Sequence, residues 1–274
     1  MMRQYPRHIF GEPITPERIL SSIDGLDGYD VFCFPLLSST NDTLRGLAAD
    51  GAPAGTVVIA EGQLAGKGTK GRSFASPRGK GIYLSALFRP QIAVKDISLI
   101  TPFAAVAVAR ATQRVAGISP GIKWVNDILL CGKKLGGILT EAVVSSTGDG
   151  IDDVIVGIGL NVCAGGLPDE LADIAISIED ATGKVIDRNR LIAEILSELK
   201  PLLCGALPSD FLTEYRSRCE ILSRRVRVTR GNESFLALAV EVDCDGALIV
   251  MRENGEYERL YSGEVSLAVS TDAS

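Results

Sequence analysis

The segment Glu61–Phe74 contains the residue types best suited to chemistry. It reads EGQLAGKGTKGRSF, with four glycines and three cations, Lys67, Lys70 and Arg72. Glycine lets a backbone turn tightly and approach a ligand closely. Successive backbone N–H groups between cationic side chains bind phosphate or carboxylate groups. The same composition is also typical of a mobile surface loop. The segment by itself leaves both interpretations open.

A polar run, Ser38–Asp42, lies between a predicted strand, Val31–Leu37, and a predicted helix, Thr43–Asp50. Ser, Thr, Asn and Asp are the residues that cap helix N-termini, which is the simplest explanation of the run. A cap needs one such residue, however, and five are present here. Open α/β sheets bind ligands where strands lead into helices. The surplus polar groups therefore indicate a second interpretation, a binding site.

Lys123 lies inside a predicted strand, Ile122–Val125, beside the only tryptophan, Trp124. Strand alternation allows this lysine to face solvent. The alternative is a partly buried point charge held over an anionic substrate. A later strand, Val154–Asn161, carries two glycines on one face, which indicates the close approach of another group. It lacks a third glycine, so it does not match a dinucleotide-binding fingerprint, and an NAD-dependent dehydrogenase is excluded.

The bulk composition predicts a folded globular protein of 274 residues, with 46% hydrophobic and 23% charged residues. The net charge of −6 argues against a general nucleic-acid binder, which needs a basic surface. Six scattered cysteines without a C-x-x-C pair indicate neither a zinc site nor a disulfide framework, and we interpret them as reduced and mostly structural. The single histidine, His8, makes catalysis by Ser-His-Asp or Cys-His improbable. No signal peptide or membrane span is predicted, so we expect a soluble, cytoplasmic protein.

Periodicity places two groups of strands along the chain. Thr56–Ala60 and Ile82–Phe88 are predicted to pair around the glycine-rich segment, and Ile97–Val115 is predicted to be a helix buried on more than one side. After Cys219, short strands alternate with Asp-Gly and Asn-Gly turns, which are typical of hairpins. We therefore predict a domain boundary near residue 219, followed by a small β-barrel.

Six segments follow one another along nearly the whole chain: SSTND (38–42), EGQLAGKGTKGRSFASP (61–77), GIYLSALFRP (81–90), KWVNDILLCGKKLGGILTE (123–141), GIGLNV (157–162) and SGEVSL (262–267). In their order and roughly in their spacing, they resemble the biotin protein ligases, also called biotin–[acetyl-CoA-carboxylase] ligases. The resemblance implies an α+β fold: a mixed-sheet, class II synthetase-like catalytic domain over residues 1–218 and an SH3-like β-barrel over residues 219–274.

The family's reaction, as the resemblance implies it, joins biotin to a carrier protein in two steps. Biotin and ATP form biotinyl-5′-AMP and pyrophosphate, with Mg²⁺ bridging phosphates. A lysine of a biotin carboxyl carrier protein then attacks this intermediate, forms an amide and releases AMP. The first step brings a carboxylate against a triphosphate, so the site must supply positive charge and N–H donors. We expect the glycine-rich loop to close over the adenylate and shield it from water.

The resemblance also assigns the site residues. Catalysis falls to Lys67, Arg72 and Lys123. Biotin binding falls to Ser39, Thr40, Asn41, Gln63, Gly66, Lys67, Lys123, Gly137 and Gly157. ATP and adenylate binding falls to Thr69, Lys70, Arg72, Phe74, Asn126, Asn161 and Glu264. In these sets Gly137 and Gly157 leave room for the biotin bicycle. Phe74 shelters the adenine, and Asn161 hydrogen-bonds it. No side chain is predicted to be a metal ligand.

The chain departs from the family's usual pattern at three places. Lys67 and Thr69 stand where the loop usually has arginines, and only the first of these changes keeps the charge. Val125 replaces a proline, and Ala268 follows Ser-Leu where some members carry an arginine. A lipoate or octanoate ligase is the nearest alternative, and a non-catalytic biotin-binding paralogue is the second. We expect no DNA binding, because the chain has no room for the N-terminal domain of repressor-type members. The oligomeric state is left open between a monomer and a homodimer.

Overall fold

The fold is taken from a computed structural model that describes residues 12–144, without the Val144 side chain, and 150–268. The prediction about His8 lies outside these residues. Within them, no helix is both long and apolar enough to cross a membrane. The six cysteines are all described, and all are free. Burial raises the pKa of Cys33 to about 12 and that of Cys219 to about 11, so these thiols are inert at neutral pH.

A mixed seven-stranded sheet forms the larger part of the described chain. Its strands are β1 (Asp30–Phe34), β2 (Thr56–Ala60), β3 (Gly81–Phe88), β4 (Gly121–Lys123), β5 (Asp127–Leu130), β6 (Lys133–Val144) and β7 (Ile151–Asn161). They lie in the order β1-β2-β3-β7-β6-β5-β4. Only β1 and β2 run parallel; the other neighbours are antiparallel. The predicted pairing of β2 with β3 around the glycine-rich segment is confirmed. Every residue of β2 and β3 is buried, as their continuous apolar runs predict.

Six α-helices accompany the sheets in the described residues. They are α1 (Pro16–Ser22), α2 (Thr40–Ala49), α3 (Ile100–Ala116), α4 (Ile178–Thr182), α5 (Arg188–Leu203) and α6 (Phe211–Arg218). Helix α3 is the Ala- and Val-rich helix expected to be buried on several sides, and twelve of its 17 residues are buried. It packs against α5, α6 and strand β6. Helix α2 begins three residues earlier than predicted, which brings Thr40 and Asn41 into its first turn.

The C-terminal part forms a second, five-stranded antiparallel sheet. Its strands are β8 (Arg225–Arg230), β9 (Glu233–Val242), β10 (Leu248–Arg252), β11 (Tyr257–Leu260) and β12 (Glu264–Leu267), in the order β11-β10-β9-β8-β12. The indole N–H of Trp124 joins this sheet to the first one by donating to the Gly246 carbonyl at 3.0 Å. The exact division at residue 218 stays a prediction.

A buried ion pair fixes the end of β2 from which the glycine-rich loop starts. The Arg188 side chain is only 2% exposed and its guanidinium lies 2.8 Å from the Glu61 carboxylate. It also donates to the carbonyls of Gly81 and Glu12, at 3.2 and 2.9 Å. Glu61 in turn accepts the Ile14 N–H at 2.8 Å. This pair therefore holds β2, β3, α5 and the segment before α1 together.

We expect Arg188→Met to lower the free energy of unfolding by about 3–5 kcal/mol, because it leaves the Glu61 carboxylate partly buried without its cation. Urea denaturation measures the loss. Arg225→Met is the control, since Arg225 pairs with Glu253 on the surface, where both side chains are more than half exposed. A loss below about 1 kcal/mol is expected there. Equal small losses in the two variants would contradict the structural role given to the buried pair.

Candidate functional site

Two neighbouring cavities open between the glycine-rich loop, α2 and strands β5–β7. The first encloses about 470 Å³ of empty space. Its lining consists of Ser39, Thr40, Asn41, Gln63, Lys67, Gly68, Thr69, Phe74, Asn126, Lys134, Gly137, Ile138, Leu139, Gly157, Ile158 and Gly159. Most of these polar groups are hydroxyls and amides, while one wall is apolar. Such a lining suits an uncharged polar ring system with an apolar face.

The polar run before α2 contributes to this cavity through the helix's first turn. Ser39 is the N-cap residue, yet its side chain makes no capping hydrogen bond. Thr40 and Asn41 are each 4% exposed. The backbone N–H of Thr40 donates instead to the Gln63 side-chain oxygen at 2.9 Å. The middle of the polar run, Ser39 to Asn41, therefore faces inward, as the binding-site interpretation required, whereas Ser38 is exposed.

Gly157 leaves room for another protein group, the Asn41 amide. A Cβ atom at position 157 would lie 2.1 Å from Asn41 Oδ1, which no packing can accommodate. At Gly137 a Cβ would meet its nearest atoms at 3.5 Å, an ordinary contact. The two strand glycines thus differ. Protein packing explains Gly157, whereas no protein atom requires glycine at 137.

Gly66 also packs against protein, because a Cβ there would lie 2.5 Å from the Phe74 carbonyl and 2.6 Å from Ser76 Oγ. The Phe74 N–H donates to the Gly66 carbonyl at 2.8 Å. Gln63 Nε2 donates to Ser76 Oγ at 2.9 Å, and that hydroxyl donates to the Phe74 carbonyl at 3.0 Å. The loop is therefore folded onto itself as a narrow hairpin.

The hairpin tip carries the cations. The backbones of Lys67 and Ser73 pair as an isolated antiparallel β-bridge, and a single 3-10 turn covers Thr69–Gly71. Lys70 has φ 59°, in the left-handed region that side chains other than glycine rarely adopt. This tip separates the first cavity from the second.

The second cavity encloses about 560 Å³ and is strongly charged. Its lining consists of Gly68, Thr69, Lys70, Arg72, Ser73, Phe74, Lys123, Trp124, Asn126, Asp127, Lys134, Gly263, Glu264 and Val265. Five of these residues also line the first cavity: Gly68, Thr69, Phe74, Asn126 and Lys134. The two cavities therefore share a wall, and cationic side chains on the second lie beside the amides of the first.

Several cations around the two cavities already have carboxylate partners. Lys67 Nζ lies 2.6 Å from Asp42, and the hydrogen bond between them is the main cause that lowers the pKa of the Asp42 carboxyl. Arg72 lies 2.9 Å from Glu264, which ties the hairpin to the second sheet. An anionic ligand can take the place of either carboxylate, because all four side chains are at least one-third exposed.

Lys134 and Lys123 face one carboxylate. Lys134 Nζ lies 2.5 Å from Asp127, and Lys123 Nζ lies 4.0 Å from the same side chain. Lys123 lies just before a cis peptide bond, which joins Trp124 to Val125. Two cations thus meet one negative charge, which leaves this wall of the second cavity net positive. Such a wall attracts phosphate groups.

All but one of the sequence-predicted site residues are brought to the two cavities or to the hairpin between them. The exception is Asn161, which lines neither cavity; its Nδ2 donates to the Lys134 and Ile176 carbonyls at 3.4 and 3.3 Å. Gly66 supports the hairpin from within and is absent from both linings.

Sequence reasoning missed four contributors. Asp42 and Lys134 form the ion pairs described above, and Ser85 and Glu141 hydrogen-bond the Asn41 side chain. Lys134 lies in the quoted KKLGG segment, where a basic residue at the start of a glycine-bearing strand was an available signal. Ser85 is a single polar residue in an apolar strand, and its small size hid its importance. Asp42 and Glu141 lay inside quoted segments but acquired meaning only from their partners in space.

Two family models match this chain. The Biotin/lipoate A/B protein ligase family matches residues 33–161. The Biotin protein ligase C terminal domain matches residues 221–268.

Several named proteins are similar in sequence to most of this chain. A Bifunctional ligase/repressor BirA of Bacillus spizizenii is 37% identical over 85% of this chain and 72% of its own length. A Biotin--[acetyl-CoA-carboxylase] ligase of Mycobacterium tuberculosis is 34% identical over 77% of this chain and 79% of its own length. Among solved structures, the biotin protein ligase of Aquifex aeolicus in complex with biotin and ATP superposes with a TM-score of 0.73 at 26% identity, covering 88% of this chain and 99% of that one.

Proposed function

This chain belongs to the biotin protein ligase family, and from that premise we propose that it activates biotin with ATP and attaches it to a lysine of a biotin carboxyl carrier protein. In the first step a biotin carboxylate oxygen attacks the α-phosphorus of ATP, and pyrophosphate leaves. In the second step the carrier lysine's amine attacks the carbonyl of biotinyl-5′-AMP, loses a proton and displaces AMP. The enzyme is thus a biotin–[biotin carboxyl-carrier protein] ligase.

The observation that carries this proposal is the shared wall between an amide-lined cavity and a cation-lined cavity. Biotin has an uncharged ureido ring at one end and a carboxylate at the other. ATP is a polyanion with a flat base. The first cavity suits the ring, and the second suits the phosphates. Their common boundary is where the carboxylate and the α-phosphate have to meet.

For the biotin end, we assign ring recognition to the side chains around the first turn of α2. Thr40 and Gln63 offer a hydroxyl and an amide next to the buried Asn41. Ser39 lines the same cavity. Gly137 lines the first cavity, and no protein atom lies close enough to its Cβ position to require a glycine there, which is consistent with a ligand passing close to its backbone. Gly157 acts indirectly, by leaving room for Asn41.

For the reacting ends, we assign charge neutralisation to the hairpin and to the neighbouring sheet. Lys67, Arg72 and Lys123 are the predicted cations, and Lys134 joins them. Their positions on two different elements let the site contact both acids at once, which lowers the repulsion between them. Arg72 would exchange Glu264 for a phosphate when the nucleotide binds. Phe74, at the shared wall, would shelter the adenine.

Magnesium fits this site as a companion of the nucleotide. Among residues 12–144 and 150–268, no group of three or more His, Cys, Asp or Glu side chains could hold a metal ion. Mg²⁺ is commonly held by substrate phosphates with one or two carboxylates, and Asp127 in the second cavity is one such carboxylate. When bound, Mg²⁺ would neutralise phosphate charge; the protein's own cations and N–H donors position the reacting groups.

We propose that the chain does not bind DNA, which its net charge of −6 supports. We also propose a cytoplasmic location, which subcellular fractionation tests. Light scattering distinguishes a monomer from a homodimer. We also propose that residues 1–218 and 219–274 are separate domains.

Incubation of the protein with biotin, MgATP and a carrier domain tests the proposed function directly. Mass spectrometry should find one biotinyl group on one carrier lysine, and none when ATP is omitted. Lipoate in place of biotin should give no product. Transfer of lipoate would identify the alternative ligase, and biotin binding without product would identify a non-catalytic paralogue.

We expect Lys123→Ala to reduce both half-reactions at least about 100-fold, because it removes a point charge from the place where two anions meet. Biotin-dependent ATP–pyrophosphate exchange measures the first half, and transfer from isolated biotinyl-5′-AMP measures the second. Lys95→Ala is the control, since Lys95 is an exposed lysine that lines neither cavity. Near-normal transfer by Lys123→Ala would remove this lysine from the mechanism.

Thr69 lines both cavities at the position where the family loop usually has an arginine. We expect Thr69→Arg to slow release of biotinyl-5′-AMP about tenfold, because a guanidinium donates to phosphate bidentately. Release can be followed by chase with unlabelled biotin after single-turnover synthesis. Thr69→Val, which adds no donor, should leave the release rate unchanged. If Thr69→Arg and Thr69→Val release the intermediate equally fast, another residue governs its retention.

A further inference from the structure

Two polar residues that line neither cavity contact the binding residues from behind. Ser85, in the middle of β3, is fully buried, and its Oγ lies 2.6 Å from Asn41 Oδ1 and 2.8 Å from Thr40 Oγ1. Glu141, near the end of β6, accepts a 2.7 Å hydrogen bond from Asn41 Nδ2. These contacts form a chain of hydrogen bonds that runs from Glu141 through Asn41 and Ser85 to Thr40.

The carboxylate at one end of this chain fixes the orientation of the Asn41 amide. Glu141 is paired with Arg45, whose guanidinium lies 2.5 Å from its second oxygen. An ionised carboxylate can only accept hydrogen bonds. The NH₂ group of Asn41 must therefore face Glu141, and its carbonyl oxygen must face Ser85.

The direction of each following hydrogen bond is then determined. Asn41 Oδ1 has no proton, so the single hydroxyl proton of Ser85 is donated to it. The 2.8 Å contact between Ser85 and Thr40 consequently needs the proton of the Thr40 hydroxyl. The Gln63 side-chain oxygen accepts the Thr40 backbone N–H at 2.9 Å and lies 3.2 Å from the Thr40 hydroxyl, so it is a second, longer acceptor for the same hydroxyl proton.

Because its only proton is donated to Ser85, with Gln63 as the competing protein acceptor, the Thr40 hydroxyl has only lone pairs left for a ligand. We propose that Glu141 and Ser85 are positioning residues that make Thr40 an obligatory acceptor, and so select a ring N–H at that point of the substrate. This inference rests on the proposed function, in which the substrate ring is the ureido ring of biotin. A ring oxygen in place of that N–H would meet lone pairs, and an unpaired buried polar contact is costly.

Titration calorimetry with three ligands tests this proposal. One is biotin; the other two are the regioisomers of the isosteric cyclic carbamate, in which one ureido N–H is replaced by oxygen. The wild type should bind one regioisomer about 100-fold more weakly than biotin, as expected for one unpaired buried acceptor. In Ser85→Ala the Thr40 hydroxyl loses its 2.8 Å partner and keeps only the longer 3.2 Å contact with Gln63, so its proton can turn to that oxygen. The ratio should then fall to about tenfold or less.

Glu141→Gln should lower the same ratio, because a glutamine amide can donate as well as accept and no longer fixes Asn41. Thr112→Val controls for loss of a buried hydroxyl, since Thr112 is fully buried in α3 and donates to the Val108 carbonyl. Glu198→Gln controls for loss of a paired carboxylate, because Glu198 pairs with Arg110 and Arg114 away from the cavities. Both controls should keep the wild-type ratio.

The ratio separates this role from a purely structural one. If Ser85→Ala weakens biotin and the carbamate by the same factor, Ser85 only supports the fold and the proposal is wrong. If wild-type protein does not bind biotin at all, both the proposed function and this proposal are wrong. Biotin binding with an unchanged ratio in both variants overturns the donor–acceptor assignment alone.

Discussion

The site depends on the first turn of α2, which holds the glycine-rich hairpin at two points. The Thr40 N–H binds Gln63 at the start of the hairpin, and Asp42 binds Lys67 near its tip. Both contacts come from one helical turn, so the hairpin lies close to the helix N-terminus. Because β6 and β7 support the other side, two cavities form with a common wall. A substrate that spans that wall places its two ends in different chemical surroundings.

Charge compensation explains how a protein with net charge −6 can present cations to anionic substrates. Lys67, Arg72 and Lys134 each pair with a carboxylate, so their positive charges are compensated before any ligand binds. These pairs are partly exposed, and such ion pairs are weak in water. A phosphate or a carboxylate can therefore replace the acidic partner at small cost. The pairing of Arg72 with Glu264 also makes the second sheet part of the site.

Much of this arrangement follows from the sequence, because apolar periodicity and glycine spacing act locally. The pairing of β2 with β3, the buried character of α3 and the C-terminal hairpins were predictable in this way. The start of α2 was not, because Ser, Thr and Asn are usually cap residues. Here contacts with Gln63, Ser85 and Glu141, all distant in the sequence, draw Thr40 and Asn41 inward. The role of Gly157 was likewise hidden, since its close neighbour, Asn41, lies 116 positions earlier in the chain.

The most direct measurement is a crystal structure of the protein with a non-hydrolysable analogue of biotinyl-5′-AMP. The bicyclic ring should lie in the first cavity within hydrogen-bond distance of Thr40 and Gln63. The phosphate should lie at the shared wall, between Lys123 and the hairpin residues 67–72. A complex with the ring and the nucleotide in exchanged cavities, or with the phosphate remote from Lys123, would contradict this account.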